Sequence, residues 1–222
     1  MDNDLQKSFP ERLMLDLNSS AALKKIKDFS KIMMMYNCAI REVRTKFEVL
    51  NDELSTTTKR NPIQMIKSRV KKPVSILNKL NRLGYEINMD SLMNKLHDVA
   101  GVRVICSFID DIYRVADMFS SQDDVTILEI KDYIKNPKPS GYRSYHMIIE
   151  VPVFFSNKKQ NIQVEVQLRT IAMDFWASLE HTMKYKQKVD NAEEIALELK
   201  DCADLISEAD ARMQSISNKI NN

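Results

Sequence analysis

The sequence predicts an α+β fold: a mixed β-sheet of about five strands flanked by helices, with a long helix at each end of the chain. Three observations carry this. Apolar residues recur at three-four spacing in both terminal segments, the centre of the chain switches to β-branched runs and strict alternation, and these central elements follow the order strand, helix, strand, strand, strand, helix. With 222 residues and 44% apolar side chains, the chain can bury one core. It reads as one domain, with a helical N-terminal segment (1–58), a core (59–188) and a C-terminal helix (190–221).

Each element has its own signal. Ile26, Phe29, Met33, Tyr36, Ile40, Val43, Phe47, Leu50 and Leu54 trace one face of a long helix. After a short helix over 90–97, the run from Val99 to Phe108 is β-branched and reads as a buried strand. Asp110 is placed to cap the next helix, whose Ile112, Val115, Met118 and Phe119 keep helical spacing. A second strand follows over 125–130, and Asn136-Pro-Lys-Pro-Ser-Gly141 is dense in turn formers and must be a loop. Tyr145 to Phe155 reads as a third strand, in which Pro152 implies an edge or a bulge. Ile162, Val164, Val166 and Leu168 alternate with Gln163, Glu165, Gln167 and Arg169, giving a fourth strand with one buried and one polar face. A helix runs from Thr170 to about Lys186. In the last segment Ile195, Leu199, Cys202, Ile206, Ala209, Met213, Ile216 and Ile220 recur about every 3.5 residues, the coiled-coil period. The two terminal seams suit packing on the domain's own core and association between copies equally well.

Composition excludes several classes. The N-terminus is acidic, and no uncharged apolar run approaches the roughly 18 residues that cross a bilayer. The expectation is a cytoplasmic protein without membrane contact. Cys38, Cys106 and Cys202 are too dispersed for a disulfide scaffold or a zinc site, and Cys106 and Cys202 read as small buried hydrophobes. Gly84, Gly101 and Gly141 are the only glycines, which rules out a P-loop or a Rossmann fingerprint. Phosphates bound here must therefore be met by cationic side chains and metal. The segment from Leu54 to Tyr85 offers Lys59, Arg60, Lys67, Arg69, Lys71, Lys72, Lys79 and Arg82 with no acid among them. Charges unmatched within their own segment suggest a polyanion. The acidic stretch from Asp190 to Asp210 reads as a solvated face.

Two carboxylates and one loop could do chemistry. Glu165 lies on the polar strand face and Asp98 at the mouth of the first strand, where together they could converge on Mg2+. Either acid alone reads more simply as a solubility or turn residue. Lys138-Pro-Ser-Gly-Tyr-Arg-Ser-Tyr-His146 packs aromatics for stacking on bases and cations for phosphates into nine residues. A structured hairpin would also use them.

His97-Asp-Val-Ala-Gly-Val-Arg103, Ser140-Gly-Tyr-Arg-Ser-Tyr-His146 and Val164-Glu-Val-Gln-Leu-Arg-Thr170, in that order and spacing, resemble the synthetase domain of the RelA/SpoT family. More narrowly, the chain resembles the small, stand-alone alarmone synthetases. The similarity runs from about Pro62 to Lys186 and includes Phe175-Trp-Ala-Ser-Leu-Glu-His181.

The resemblance implies a nucleotidyltransferase-like fold and a GTP pyrophosphokinase of the stringent response. Such an enzyme moves the β,γ-pyrophosphate of ATP to the 3′-hydroxyl of GDP or GTP and makes (p)ppGpp. It implies that Asp98 and Glu165 hold Mg2+ and that Glu165 accepts the proton of the attacking hydroxyl. Arg69 and Arg103 would hold adenine, while Lys71, Ser75, Lys79 and Arg82 line the triphosphate. Tyr142 would stack on guanine, with Lys131, Lys138, Arg143 and His146 facing the acceptor's phosphates. No hydrolase motif of the larger relatives is recognisable, so synthesis without degradation is expected. A homotetramer, and RNA or (p)ppGpp as regulator, are further implications. Strict alternation puts Asp98 and Arg103 on opposite strand faces, so sharing a cleft requires Asp98 to lie outside the regular strand or a bulge at Gly101. Two alternatives remain: a toxin-type relative that pyrophosphorylates the tRNA 3′ end, and a non-catalytic, helical nucleic-acid-binding protein.

Overall fold

A computed structural model describes residues 20–58, 60–186 and 191–221. The start of the expected N-terminal segment, Lys59 and Asp190 lie outside these. The elements are α1 (Ser20–Thr58), β1 (Ile63–Val70), α2 (Pro73–Arg82), α3 (Met89–Asn94), β2 (Ala100–Cys106), α4 (Ile109–Ser120), β3 (Thr126–Asp132), β4 (Tyr145–Phe155), β5 (Lys158–Thr170), α5 (Ile171–Lys186) and α6 (Ala192–Asn221). The strands form one sheet in the order β1-β2-β5-β4-β3. Only the central β2–β5 pair is parallel, so the sheet is mixed as expected.

One strand escapes the periodicity of the sequence. β1 buries only Ile63 and carries Lys67, Ser68 and Arg69 within the basic run. Charged residues on an edge strand discourage pairing with other chains, and they also disguise the strand. Pro152 behaves as expected, because β3 pairs with β4 only as far as Glu150 and leaves Pro152 on a free edge. Asp110 does not cap α4. Phe108 holds the extended cap position without a side-chain bond, and Asp110 sits in the first turn, where its charge favours the helix dipole.

The apolar sheet face and α1 make the core. Phe29, Tyr36, Ile40, Val43, Phe47, Leu50 and Leu54 are buried together with Val104, Met147, Ile149, Val164, Val166 and Leu168. Phe47 stacks on Phe119 of α4, with ring centroids 4.2 Å apart. The N-terminal seam is thus spent inside the domain. The C-terminal seam is divided: Leu199 packs with Trp176 and Ala177 of α5, Ile195 and Ile206 lie against that cluster, and Met213, Ile216 and Ile220 are exposed. Cys106 is buried, but Cys202 is exposed on α6, contrary to its reading as a core residue.

The basic run is matched in part by the chain's own acids. Arg60 makes a bidentate pair with the buried Asp111 at 2.7 Å, Lys67 reaches Asp174, and Lys71 and Lys79 converge on Asp98. The segment looked unmatched because its partners come from α4, α5 and the turn before β2.

Candidate active site

Register builds the site on the polar sheet face. Gly101↔Glu165 and Arg103↔Gln167 are partners across β2–β5, and His146↔Gln167 across β4–β5. Lys67↔Arg103 and Arg69↔Gly101 extend the row to β1, and Lys131↔His146 extends it to β3. Side chains alternate across a strand, so this row faces away from the core. The β2–β5 ladder has no bulge, and Asp98 lies in the turn before Ala100. Freed from strand alternation, Asp98 shares a cleft with Arg103.

Two cavities open on this face, and Glu165 lines both. One, of about 190 Å³, is walled by Lys67, Arg69, Asp98, Gly101, Arg103, Glu165 and Gln167. The other, of about 150 Å³, is walled by Glu129, Lys131, Tyr133, Lys138, His146 and Glu165. Tyr142 lies behind the second without lining it, its hydroxyl 2.8 Å from Nε2 of the lining His146. Lys138 Nζ lies 4.6 Å and 4.9 Å from the ring centroids of Tyr133 and Tyr142. That is a cation held over two aromatic faces.

The carboxylates are kept ionised. Burial opposes the Asp98 charge, but hydrogen bonds from Lys71 at 2.6 Å and contact with Lys79 at 2.7 Å outweigh it and hold the carboxyl below its ordinary range. Both cations engage Oδ2, and Asp98 Oδ1 is buried without a hydrogen-bond partner. A buried, unpartnered anionic oxygen fits a cation. Among the described residues no three His, Cys, Asp or Glu side chains converge as a metal cage. The donor set therefore suits Mg2+, which takes one or two carboxylates and completes its shell with phosphate and water.

Burial also opposes the Glu165 charge. The His146 ring and the Gln167 amide outweigh burial and the repulsion of Asp98, and hold Glu165 low. The His146 Nδ1 contact is long at 3.5 Å. Gln167 Nε2, donating to Oε2 at 3.0 Å, is the firmer anchor. Burial pushes His146 below its ordinary value, so the ring is neutral at pH 7. Arg169 Nη2 donates to the Tyr142 hydroxyl at 2.6 Å. The hydroxyl proton is then free for His146 Nε2, which assigns the ring proton to Nδ1, on the Glu165 side.

Not every expected residue joins these cavities. Lys71 and Lys79 reach the first only through Asp98, Ser75 and Arg82 are exposed on α2, and none of the four lines either cavity. Arg143 turns away from the acceptor side and docks α6, with Nη2 3.2 Å from Asp204 Oδ1 and Nη1 3.5 Å from the Ala203 carbonyl. The structure adds Lys67, Gln167, Tyr133 and Asp174. Gln167 shares the polar alternation of Glu165 and was findable that way. Asp174, which pairs with Lys67, Arg103 and Arg169, lies in a helix and carries no local signal.

A mixed sheet that sets one carboxylate between two cation-lined cavities defines a group-transfer enzyme for two phosphorylated ligands. Residues 68–190 match the region found in RelA / SpoT proteins. The chain is 43% identical to GTP pyrophosphokinase YwaC of Bacillus subtilis over 88% of its own length and 93% of the relative's. It is 31% identical to GTP pyrophosphokinase YjbM of the same organism, over 87% and 90%. The chain belongs to the RelA/SpoT family. Among solved structures, small alarmone synthetase 1 from Bacillus subtilis bound to its product pppGpp superposes with a TM-score of 0.80 at 32% identity, covering 88% of this chain and all of that one. Small alarmone synthetase 2 from Bacillus subtilis does so with a TM-score of 0.77 at 43% identity, covering 86% and 99%.

Proposed function

We propose that this protein is a (p)ppGpp synthetase that transfers the β,γ-pyrophosphate of ATP to the 3′-hydroxyl of GDP or GTP. The observation that carries the reading is Glu165 itself, the one side chain common to both cavities. ATP occupies the cavity of Arg69 and Arg103, with adenine between the two guanidinium planes. The acceptor occupies the other, its guanine on Tyr142 and its phosphates toward Lys131, Lys138 and His146. Lys71 and Lys79 steady Asp98 and face the triphosphate, with Ser75 and Arg82 near the two ends of α2. Arg143 reaches the acceptor only by leaving Asp204.

Asp98, through its unpartnered Oδ1, and Glu165 would hold Mg2+, which would supply neutralising charge for the phosphoryl oxygens. Glu165, ionised at neutral pH, accepts the proton of the 3′-hydroxyl as its oxygen bonds to the β-phosphorus and AMP leaves. Pyrophosphoryl transfer is mainly positioning and charge neutralisation, and both are present in these side chains. The reading is synthesis without hydrolysis. The reading places the chain in the cytoplasm. No helix among the described residues is long and apolar enough to cross a membrane.

It also includes a homotetramer. Ile171, Phe175, Leu179 and Met183 form an exposed apolar stripe along α5, and Met213, Ile216 and Ile220 another on α6. Contiguous exposed apolar surface marks an interface. Light scattering should give four times the 25.8 kDa chain mass, and Phe175→Asp should reduce it.

Purified protein with Mg2+, ATP and GDP or GTP should release AMP and a guanosine tetra- or pentaphosphate, and leave labelled tRNA unmodified. Folded protein that yields no AMP with any acceptor would overturn the reading.

A further inference from the structure

Arg169 has no part in the roles above, yet it is the most fully engaged cation of the site. Its side chain is only 4% exposed. Nε lies 3.4 Å from Ser144 Oγ, Nη1 3.2 Å from Asp174 Oδ1, and Nη2 2.6 Å from the Tyr142 hydroxyl and 3.2 Å from Gln167 Oε1. The guanidinium carbon sits 5.1 Å from the Tyr142 ring centroid. Tyr142 belongs to the loop between β3 and β4, with no strand to hold its ring. The ring packs on the cluster of Trp176, Leu199 and Ala203 and edges Tyr133, and its hydroxyl is set by two bonds, accepting from the buried Arg169 charge and donating to His146 Nε2. Hydrogen bonds from ionised donors are roughly twice as strong as neutral ones. The other end of the Arg169 fork meets Asp174, which also holds Lys67 and Arg103 on the wall of the first cavity.

We propose that Arg169 is a positioning residue for the acceptor nucleotide: it fixes the Tyr142 hydroxyl, and through it the Tyr142 ring and the orientation of His146. Asp174 ties that setting to the wall of the ATP cavity. The inference rests on the acceptor role given above to Tyr142 and His146. An ordered side chain loses less freedom when its ligand arrives, so the effect falls on acceptor binding. A purely structural buried ion pair would behave otherwise, lowering stability and weakening both substrates together.

The test is a double-mutant cycle of Tyr142→Phe and Arg169→Lys, with KM for the acceptor and for ATP measured separately. Tyr142→Phe keeps the ring and removes only the hydroxyl. It should raise the acceptor KM about tenfold while ATP KM stays within about twofold. Arg169→Lys keeps a charge for Asp174 but loses the fork, and should act in the same direction. The double variant should be no worse than the poorer single one, because both changes remove the same contact. Additive effects, an unchanged acceptor KM in Tyr142→Phe, or a parallel rise for both substrates would overturn the proposal. If Arg169→Lys does not fold, the acceptor KM of Tyr142→Phe decides alone. Turnover by the unaltered protein reports separately on the reaction itself.

Discussion

Gly101 stands directly across the parallel β2–β5 ladder from Glu165, so no β2 side chain comes between that carboxylate and the first cavity. A Cβ built on Gly101 would lie 3.9 Å from the Arg69 carbonyl oxygen and 4.0 Å from that of Glu165. That is ordinary contact, so the fold admits a side chain there and the cavity does not. Gly101→Val should fold with a near-normal unfolding midpoint and lose at least about tenfold in kcat/KM for ATP. Full activity in this variant would show that ATP lies elsewhere.

Gly141 is the opposite case. Its φ is +82°, and a Cβ would meet that of Ala203 at 2.5 Å. Gly141→Ala therefore incurs about 1–2 kcal/mol of left-handed backbone strain and pushes the loop off α6. Steady-state kinetics should show a raised acceptor KM and an unchanged ATP KM, because the ATP cavity receives nothing from this loop.

Acid titration should show two opposite signs. Asp98, Glu165 and Asp174 all have depressed pKa values in the folded protein. Their contribution is complete above the unfolded carboxylate range, about pH 4, and is lost as pH falls through the lower folded values. Burial pushes Asp210 upward, against the hydrogen bond from Thr170. Its contribution is present at low pH and is lost as pH rises through the raised folded value. Asp210→Asn should therefore unfold at a higher temperature than the unaltered protein at pH 7, with the gap closing toward pH 4.

Phe47 is fully buried and stacks on Phe119. Phe47→Ala should cost about 3–5 kcal/mol, read as a fall in the denaturation midpoint. Loss of under about 1 kcal/mol would mean that α1 is not anchored on the sheet.

Much of this was legible in the sequence because period and burial coincide. β4 spans the expected Tyr145–Phe155, and β5 buries the expected Ile162, Val164, Val166 and Leu168. β1 was hidden because an edge strand facing a charged cleft has no apolar alternation to display. Glu165, Asp98, Arg69 and Arg103, singled out from the motifs, line one cavity. Arg143 does not join the other, since its partner Asp204 lies 61 residues away on α6 and no local pattern announces it. Long-range pairs such as Lys67–Asp174 and Arg60–Asp111 are set by the fold, and spacing cannot foretell them.

The central claim is that Glu165 is the acid at which the two substrates meet. Glu165→Gln preserves shape and can still accept the bond from Gln167, but it carries no charge and takes no proton. AMP release from ATP with GDP or GTP should fall at least about a thousandfold, while the unfolding midpoint and the affinity for a non-hydrolysable ATP analogue stay near those of the unaltered protein. Turnover within about tenfold of the original would contradict the account.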